Sequence, residues 1–432
     1  MRQSLLRGVA ALALLLFAPS LSFSYSVLTH EAIIDSAWGD SIQPLIIRQF
    51  PEATDEQLRE AYAHAYGGAL IQDMGYYPFG SKLFTDLTHY VRSGDFIEAL
   101  LAESQDINEY AFALGALSHY AADNEGHSMA VNRVVPALYP KLRAKHGDEV
   151  TYDENPTAHM RAEFGFDVLQ VACGRYAPTD YRNFIGFKVS KPALERAFKA
   201  TYALELKDVF SDLDLAIGSY RRAASAIIPK MTQVAWETKK DEIEKLTPGI
   251  ARERFIYSFT RADYEKEWGT KYDKPDFEDK LLAFFFSIIP RIGPLKTLSF
   301  KPITPETARL FLDSFEATLT QYRALLRRAQ PGRLVLVNLN LDLGRPTRAG
   351  EYRLADEAYS DLVTKLYKHE YNNVTPELRK NILSFFSDLN APIATKKDLS
   401  DWRKIELALE KLKTTRTKNK LKTTRTQIGE RF

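Results

Sequence analysis

The chain has 432 residues, of which 45% are hydrophobic and 26% charged, and its net charge is +2. That is a globular profile with enough residues for one large or two ordinary hydrophobic cores. A single cysteine, Cys173, excludes an internal disulfide framework, so the core or bound metal must hold the fold together.

The first 24 residues read as a secretory signal peptide. Arg2 and Arg7 supply the positive start, residues 9–17 form an apolar run, and Ser22 and Ser24 place small side chains where a signal peptidase reads. No later segment approaches the roughly 20 apolar residues needed to span a bilayer. A secreted or periplasmic protein is the expectation. Cleavage after Ser24 would start the mature chain at Tyr25, with a free amine five residues before His30 and Thr29 as the expected cap of the first helix. The low pKa of an α-amine makes it an accessible metal ligand near neutral pH.

An amphipathic helix is predicted over 55–70, ending near Gly67 and Gly68. A loop-like aromatic stretch follows, carrying Asp73, Tyr76, Tyr77 and Phe79, and it leads into Asp86 and His89. The stretch 115–127 is the one around which the chain is organised. His119, Asp123 and His127 stand at intervals of four inside an apolar helical run. A step of four returns to nearly the same helix face, so on a regular helix the three form one ladder. Buried polar groups need partners, and metal would satisfy all three; Asp123, with two oxygens, is placed to bridge two ions. His159 and Glu163 repeat the same spacing on a later helix.

The second half reads as helices over 181–198 and 208–228, then a charged and aromatic segment over 235–280. The apolar run 281–289 is stopped by Pro290 and is too short to span a bilayer. Residues 334–343 alternate in part and suggest an extended segment, and Thr375 is positioned to cap a helix over 376–386. Residues 411–432 carry eight Lys/Arg and one acid and contain a repeat, 412–417 and 421–426, so they form a basic tail expected to be disordered. The body between signal and tail is net acidic, which argues against binding a phosphate backbone as its main business.

Of the eight histidines, His30, His89, His119, His127 and His159 each stand beside helix signals or a carboxylate, whereas His64, His146 and His369 look like surface or packing residues. The ordered series Tyr25, His30, Asp73, His89, His119, Asp123, His127, His159 and Glu163 resembles the zinc-dependent phospholipase C family, which is related to the S1/P1-type zinc nucleases. The resemblance covers roughly residues 25–170. It implies an all-α fold, with 25–235 as the catalytic domain and 236–410 as a further helical region. It also implies three zinc ions: one on Asp73, His89 and His119, one on the Tyr25 backbone and His30 with Asp123 bridging these two, and a third on His127, His159 and Glu163. Asp73 is then the candidate to orient or deprotonate the attacking water, and an aromatic cage for a headgroup cation could form near Tyr76, Tyr77 and Phe79. The implied substrate is a phospholipid, met at a membrane surface. The alternatives are a single-strand nuclease or 3′-nucleotidase acting on nucleic acid, and a non-catalytic module stabilised by zinc.

Two positions depart from the family pattern. Tyr25 replaces its usual terminal Trp, and three residues separate Asp123 from His127 where the family has five. The short spacing predicts that His127 reaches the third metal by its own local path, with the backbone bending at Gly126, since glycine inside a helix does nothing for helix stability.

Overall fold

The computed structural model describes residues 26–172, 186–246, 300–330, 332–391, 393 and 399–415. Residues 1–24, expected to be a signal peptide, and Tyr25, Cys173, the apolar run 281–289 and residues 416–432 lie outside the described residues. Within them the fold is all-α as expected. The one β feature is an isolated bridge between Asn340 and Arg345.

The helices that build the site run, in chain order, α1 (Val27–Ala37), α2 (Asp55–Gly68), α3 (Lys82–Tyr90), α4 (Ser93–Ala102), α5 (Ile107–Glu125) and α6 (Pro156–Ala172). Then come α7 (Lys191–Tyr202), α8 (Leu213–Arg222), α9 (Pro305–Leu326), α10 (Arg353–Lys368) and α11 (Pro376–Phe385). Helix α5 is the axis. Its start is set by Asp106, whose carboxylate accepts from the amides of Asn108 and Glu109. From Glu109 to Asn124 every residue is buried, which is what a helix apolar on all sides demands.

Two glycines let α2 cross α5 at backbone contact. A Cβ on Gly115 would lie 2.1 Å from the carbonyl oxygen of Ala65, and one on Gly68 would lie 2.0 Å from that of Phe112. On another side α5 is stitched to the C-terminal half by tyrosines, which bury their rings and must still place a hydroxyl. Tyr322 on α9 donates to Leu114 O, Tyr110 to Ala329 O and Tyr120 to Val337 O. One continuous apolar core accordingly runs from Val27 to Leu412.

Several boundaries differ from the expected ones. Of the helix expected over 181–198, residues 181–185 lie outside the described residues; among the described ones the helix starts at Lys191, with Pro192 in its first turn, and 186–190 has no regular structure. Over 208–228 the chain makes a short 3-10 turn, then α8 capped by the Asp212 carboxylate, then a π-helical turn at Ala223–Ile227. Thr29 does not cap α1, because the helix already begins at Val27. The buried carboxylate of Asp167 on α6 takes the capping role, accepting from the amides of Leu28 and Thr29 and from the Thr29 hydroxyl. Thr375 caps α11 as expected, its hydroxyl accepting from Leu378 N.

Candidate metal centre

The four-residue spacing on α5 delivers His119 and Asp123 to one face, 3.1 Å apart through His119 Nε2 and Asp123 Oδ2. Helix α3 adds His89, whose Nε2 lies 3.2 Å from the same oxygen and 3.3 Å from His119 Nε2. Asp73, on the 3-10 turn Ile71–Tyr76, places Oδ1 3.4 Å from His89 Nε2 and 4.0 Å from His119 Nε2. His30 on α1 stacks on His119 with ring centroids 4.6 Å apart and sets Nε2 3.6 Å from Asp123 Oδ1. The two oxygens of Asp123 therefore face different imidazoles. One sits with His30, the other with His89 and His119.

Backbone carbonyls choose the tautomers. A carbonyl only accepts, so the nitrogen facing it carries the proton. His89 Nδ1 donates to Thr85 O at 2.9 Å and His119 Nδ1 to Ala69 O at 3.0 Å, which leaves each Nε2 turned towards Asp123. Ala69 is within reach of His119 because the Gly68 and Gly115 contacts draw α2 against α5. This arrangement, with the outer ring nitrogen held by an oxygen and the inner one left for a ligand, is the usual setting of a metal-binding histidine.

The second cluster needs the helix to change. At Glu125 α5 gives way to a π-helical turn, Gly126–Val131, which takes more residues per turn than an α-helix and so changes the direction of the side chains it carries. The ladder expected of a regular helix is broken here by the change from α- to π-helix, which starts at Gly126, although Gly126 itself keeps ordinary right-handed helical dihedrals (φ −61°, ψ −50°). His127 joins His159 and Glu163 of α6, with one ligand atom from each residue lying within 4.8 Å of the others. His159 donates Nε2–H to Val150 O, and its Nδ1 lies 3.6 Å from Glu163 Oε1. Asp73, His89 and His119 form a second such group, and His30, His119 and Asp123 a third.

Burial shapes the electrostatics. It drives His30 and His159 down to about 3, helped by the neighbouring histidines His119 and His127 respectively. Burial also pushes Asp73 upward and Glu163 well upward. Around Asp123 burial is overcome: His119 and His89 hold its carboxyl well below the usual range, and Asp123 and Asp73 hold His89 well above its own.

The donor set fits zinc. Each of the eight described candidates, His30, Asp73, His89, His119, Asp123, His127, His159 and Glu163, is a nitrogen or oxygen ligand of the types zinc takes, and each is buried. Asp73 Oδ2, His127 Nδ1 and His159 Nδ1 have no hydrogen-bond partner among the described residues, a costly state that a metal would relieve. Among the described residues no group has four protein donors, so each could leave open coordination positions.

The aromatic residues divide. Tyr77 is fully buried against Tyr220 and belongs to the core, while Phe79 is exposed. Tyr76 sits against the cluster, its ring centroid 6.4 Å from His89 and 6.3 Å from Tyr152, which in turn meets His159 at 6.0 Å. His64, His146 and His369 pair with Glu60 O, Glu154 and Asp208, away from both clusters.

Two buried acids escaped the sequence reading. Asp167 had a signal, since it extends the His159–Glu163 spacing by another four residues. Asp342 had none. It comes from a loop far along the chain and sets Oδ1 3.3 Å from His127 Nε2.

The all-α scaffold thus gathers, in its core, three groups of imidazole and carboxylate donors that could each hold a metal ion. The family model of zinc-dependent phospholipase C matches residues 29–212. That match indicates a zinc-dependent hydrolase acting on phosphoric ester bonds. No curated protein and no solved structure matches the chain.

Proposed function

We propose that the protein is an exported phospholipase C that cleaves the headgroup phosphodiester of membrane phospholipids. The observation that carries this reading is the adjacency of three donor groups, two of them sharing His119, in one buried centre of a phospholipase C domain. Asp73, His89 and His119 would hold one zinc, and His30 and Asp123 a second together with the mature N-terminus at Tyr25. His127, His159 and Glu163 would hold the third. Bound zinc supplies Lewis-acid stabilisation of the phosphoryl charge and acidifies water at neutral pH.

The protein groups do the rest. Asp123 presents one oxygen to each side of the shared centre and keeps both anchored. Asp73 has an oxygen with no protein hydrogen-bond partner among the described residues, and burial raises its affinity for a proton. It is the group to orient the attacking water and accept its proton. Water adds to phosphorus, the bond to the glycerol oxygen breaks, and that oxygen takes up a proton, leaving diacylglycerol and a phosphorylated headgroup. Three carboxylates among the candidate ligands do not cancel the charge of three divalent ions, so the loaded centre stays electropositive and favours an anionic ester. Tyr76 and Tyr152 are placed near both clusters, and their rings suit a quaternary ammonium.

Export is supported by the start of the sequence. Among the described residues no helix is long and apolar enough to cross a membrane. Asp167 anchors the amides of Leu28 and Thr29, which holds the chain's entry into the site beside Asp123. The test pairs metal analysis of the exported protein with a substrate screen. Vesicles of phosphatidylcholine or phosphatidylethanolamine should release phosphorylated headgroup in a zinc-dependent manner. Release of nucleotides from single-stranded DNA with no action on vesicles would overturn the reading.

A further inference from the structure

Asp342 lies in the tight loop closed by the Asn340–Arg345 bridge, far outside residues 29–212. It is buried, and it is held from several sides. Its Oδ2 accepts from the hydroxyls of Tyr90 and Tyr352, and its backbone carbonyl accepts from Asn132 Nδ2 at 2.9 Å. The remaining oxygen, Oδ1, faces His127 Nε2 at 3.3 Å. The loop rests on the π-helical junction itself: Gly344 (φ +67°) is so close that a Cβ there would lie 3.2 Å from Asn124 O and from Ser128 Cβ. Leu341 N also donates to His89 O at 3.1 Å, so the same loop is tied to the backbone of a residue in the Asp123 cluster.

A carboxylate accepts, so the His127 nitrogen facing it carries the proton and the other, Nδ1, keeps its lone pair. That Nδ1 is buried and has no hydrogen-bond partner among the described residues. We infer that Asp342 is a positioning residue that presents His127 Nδ1 to the third zinc. The C-terminal half is then part of the metal centre and more than an appendage to the phospholipase domain. The inference rests on the reading of His127, His159 and Glu163 as a zinc site. Carboxylate–histidine pairs of this kind orient the ring and raise its basicity as a ligand, and losing one typically lowers metal affinity about 10–100-fold.

The test compares the full-length protein with Asp342→Ala, Asp342→Asn, His127→Ala and the Asp342→Ala/His127→Ala double variant. Zinc per chain is measured after dialysis, and zinc release is followed with a chromogenic chelator. The reading of the third site requires His127→Ala to hold one zinc fewer than the parent; an unchanged content there would remove that site and this inference with it. Given that site, Asp342→Ala should release one zinc about 10–100-fold faster, while Asp342→Asn, which keeps an acceptor oxygen, should recover part of the loss. The double variant should lose no more zinc than His127→Ala alone, because the aspartate acts through the histidine. Release at the parental rate in Asp342→Ala would overturn the positioning role and leave the third site standing. So would zinc losses that add in the double variant, since those would mark general damage to the fold.

Discussion

The Asp123 cluster and the His127 cluster use the same kinds of ligand but are built differently. The first is carried by α5 and α3 at regular helical spacing, and its histidines are oriented by carbonyls close to hand: Thr85 O one turn back on the same helix, and Ala69 O across a glycine contact. The second depends on a π-helical turn, on an acid of α6 and on a loop delivered from the C-terminal half. In the first cluster the oxygens that orient His89 and His119 belong to neighbouring helical segments. A cluster made by a local irregularity is only as good as the distant loop that holds it.

The sharpest way to break this contrast is to change one acid on each side. Asp123→Asn removes charge from a carboxylate facing two sets of ligands, so we expect a loss of two zincs and a fall in turnover of about two to three orders of magnitude, as when one electrostatic group is removed from a catalytic centre. Glu163→Gln should cost one zinc and less rate. Zinc content and vesicle hydrolysis measured side by side decide it. A near-normal rate and zinc content in Asp123→Asn would rule out the shared acid.

A milder change probes the tautomer lock alone. Gly115→Ala must push α5 away from Ala65, since the added carbon would meet the Ala65 carbonyl oxygen at 2.1 Å. Overpacking of this kind costs about 1–3 kcal/mol. Ala69 O would be drawn off His119 Nδ1, so thermal unfolding should shift down and zinc should loosen at the Asp123 cluster first. Loosening confined to the His127 cluster would contradict the division drawn between the two.

The smallest effect is one of pH. In the zinc-free protein burial, followed by His127, holds His159 at about 3, against an ordinary value of 6.5. Between those values the unfolded chain takes up a proton that the folded chain refuses, so this contribution to stability is complete above pH 6.5 and drains away as the pH falls. Replacing His159 with Gln should therefore flatten the acid side of the stability profile, by at most about 1.4 kcal/mol per pH unit. Urea unfolding of the zinc-free proteins at several pH values measures it. Parallel profiles for parent and variant would show that His159 does not titrate in this way.

Sequence alone determined what local periodicity and residue chemistry can carry. The intervals of four placed His119 beside Asp123 and His159 beside Glu163, because an α-helix returns to the same face after four residues. The short interval before His127 pointed to a different local path there, which the structure provides as a π-helical turn and not as a bend at Gly126. The order of the ligands also pointed to the family, whose model spans residues 29–212. Tertiary structure decided everything that depends on a second element arriving. It turned Thr29 from an expected cap into a donor to Asp167, it chose which nitrogen of each histidine faces inward, and it sent Tyr77 into the core. Above all it brought Asp342 to His127. Nothing in the alternating run 334–343 marks that acid as different from a solvated one, because, Tyr352 apart, the side chains that reach it from other elements, Tyr90, Asn132 and His127, lie more than two hundred residues earlier and meet it only when the helices pack.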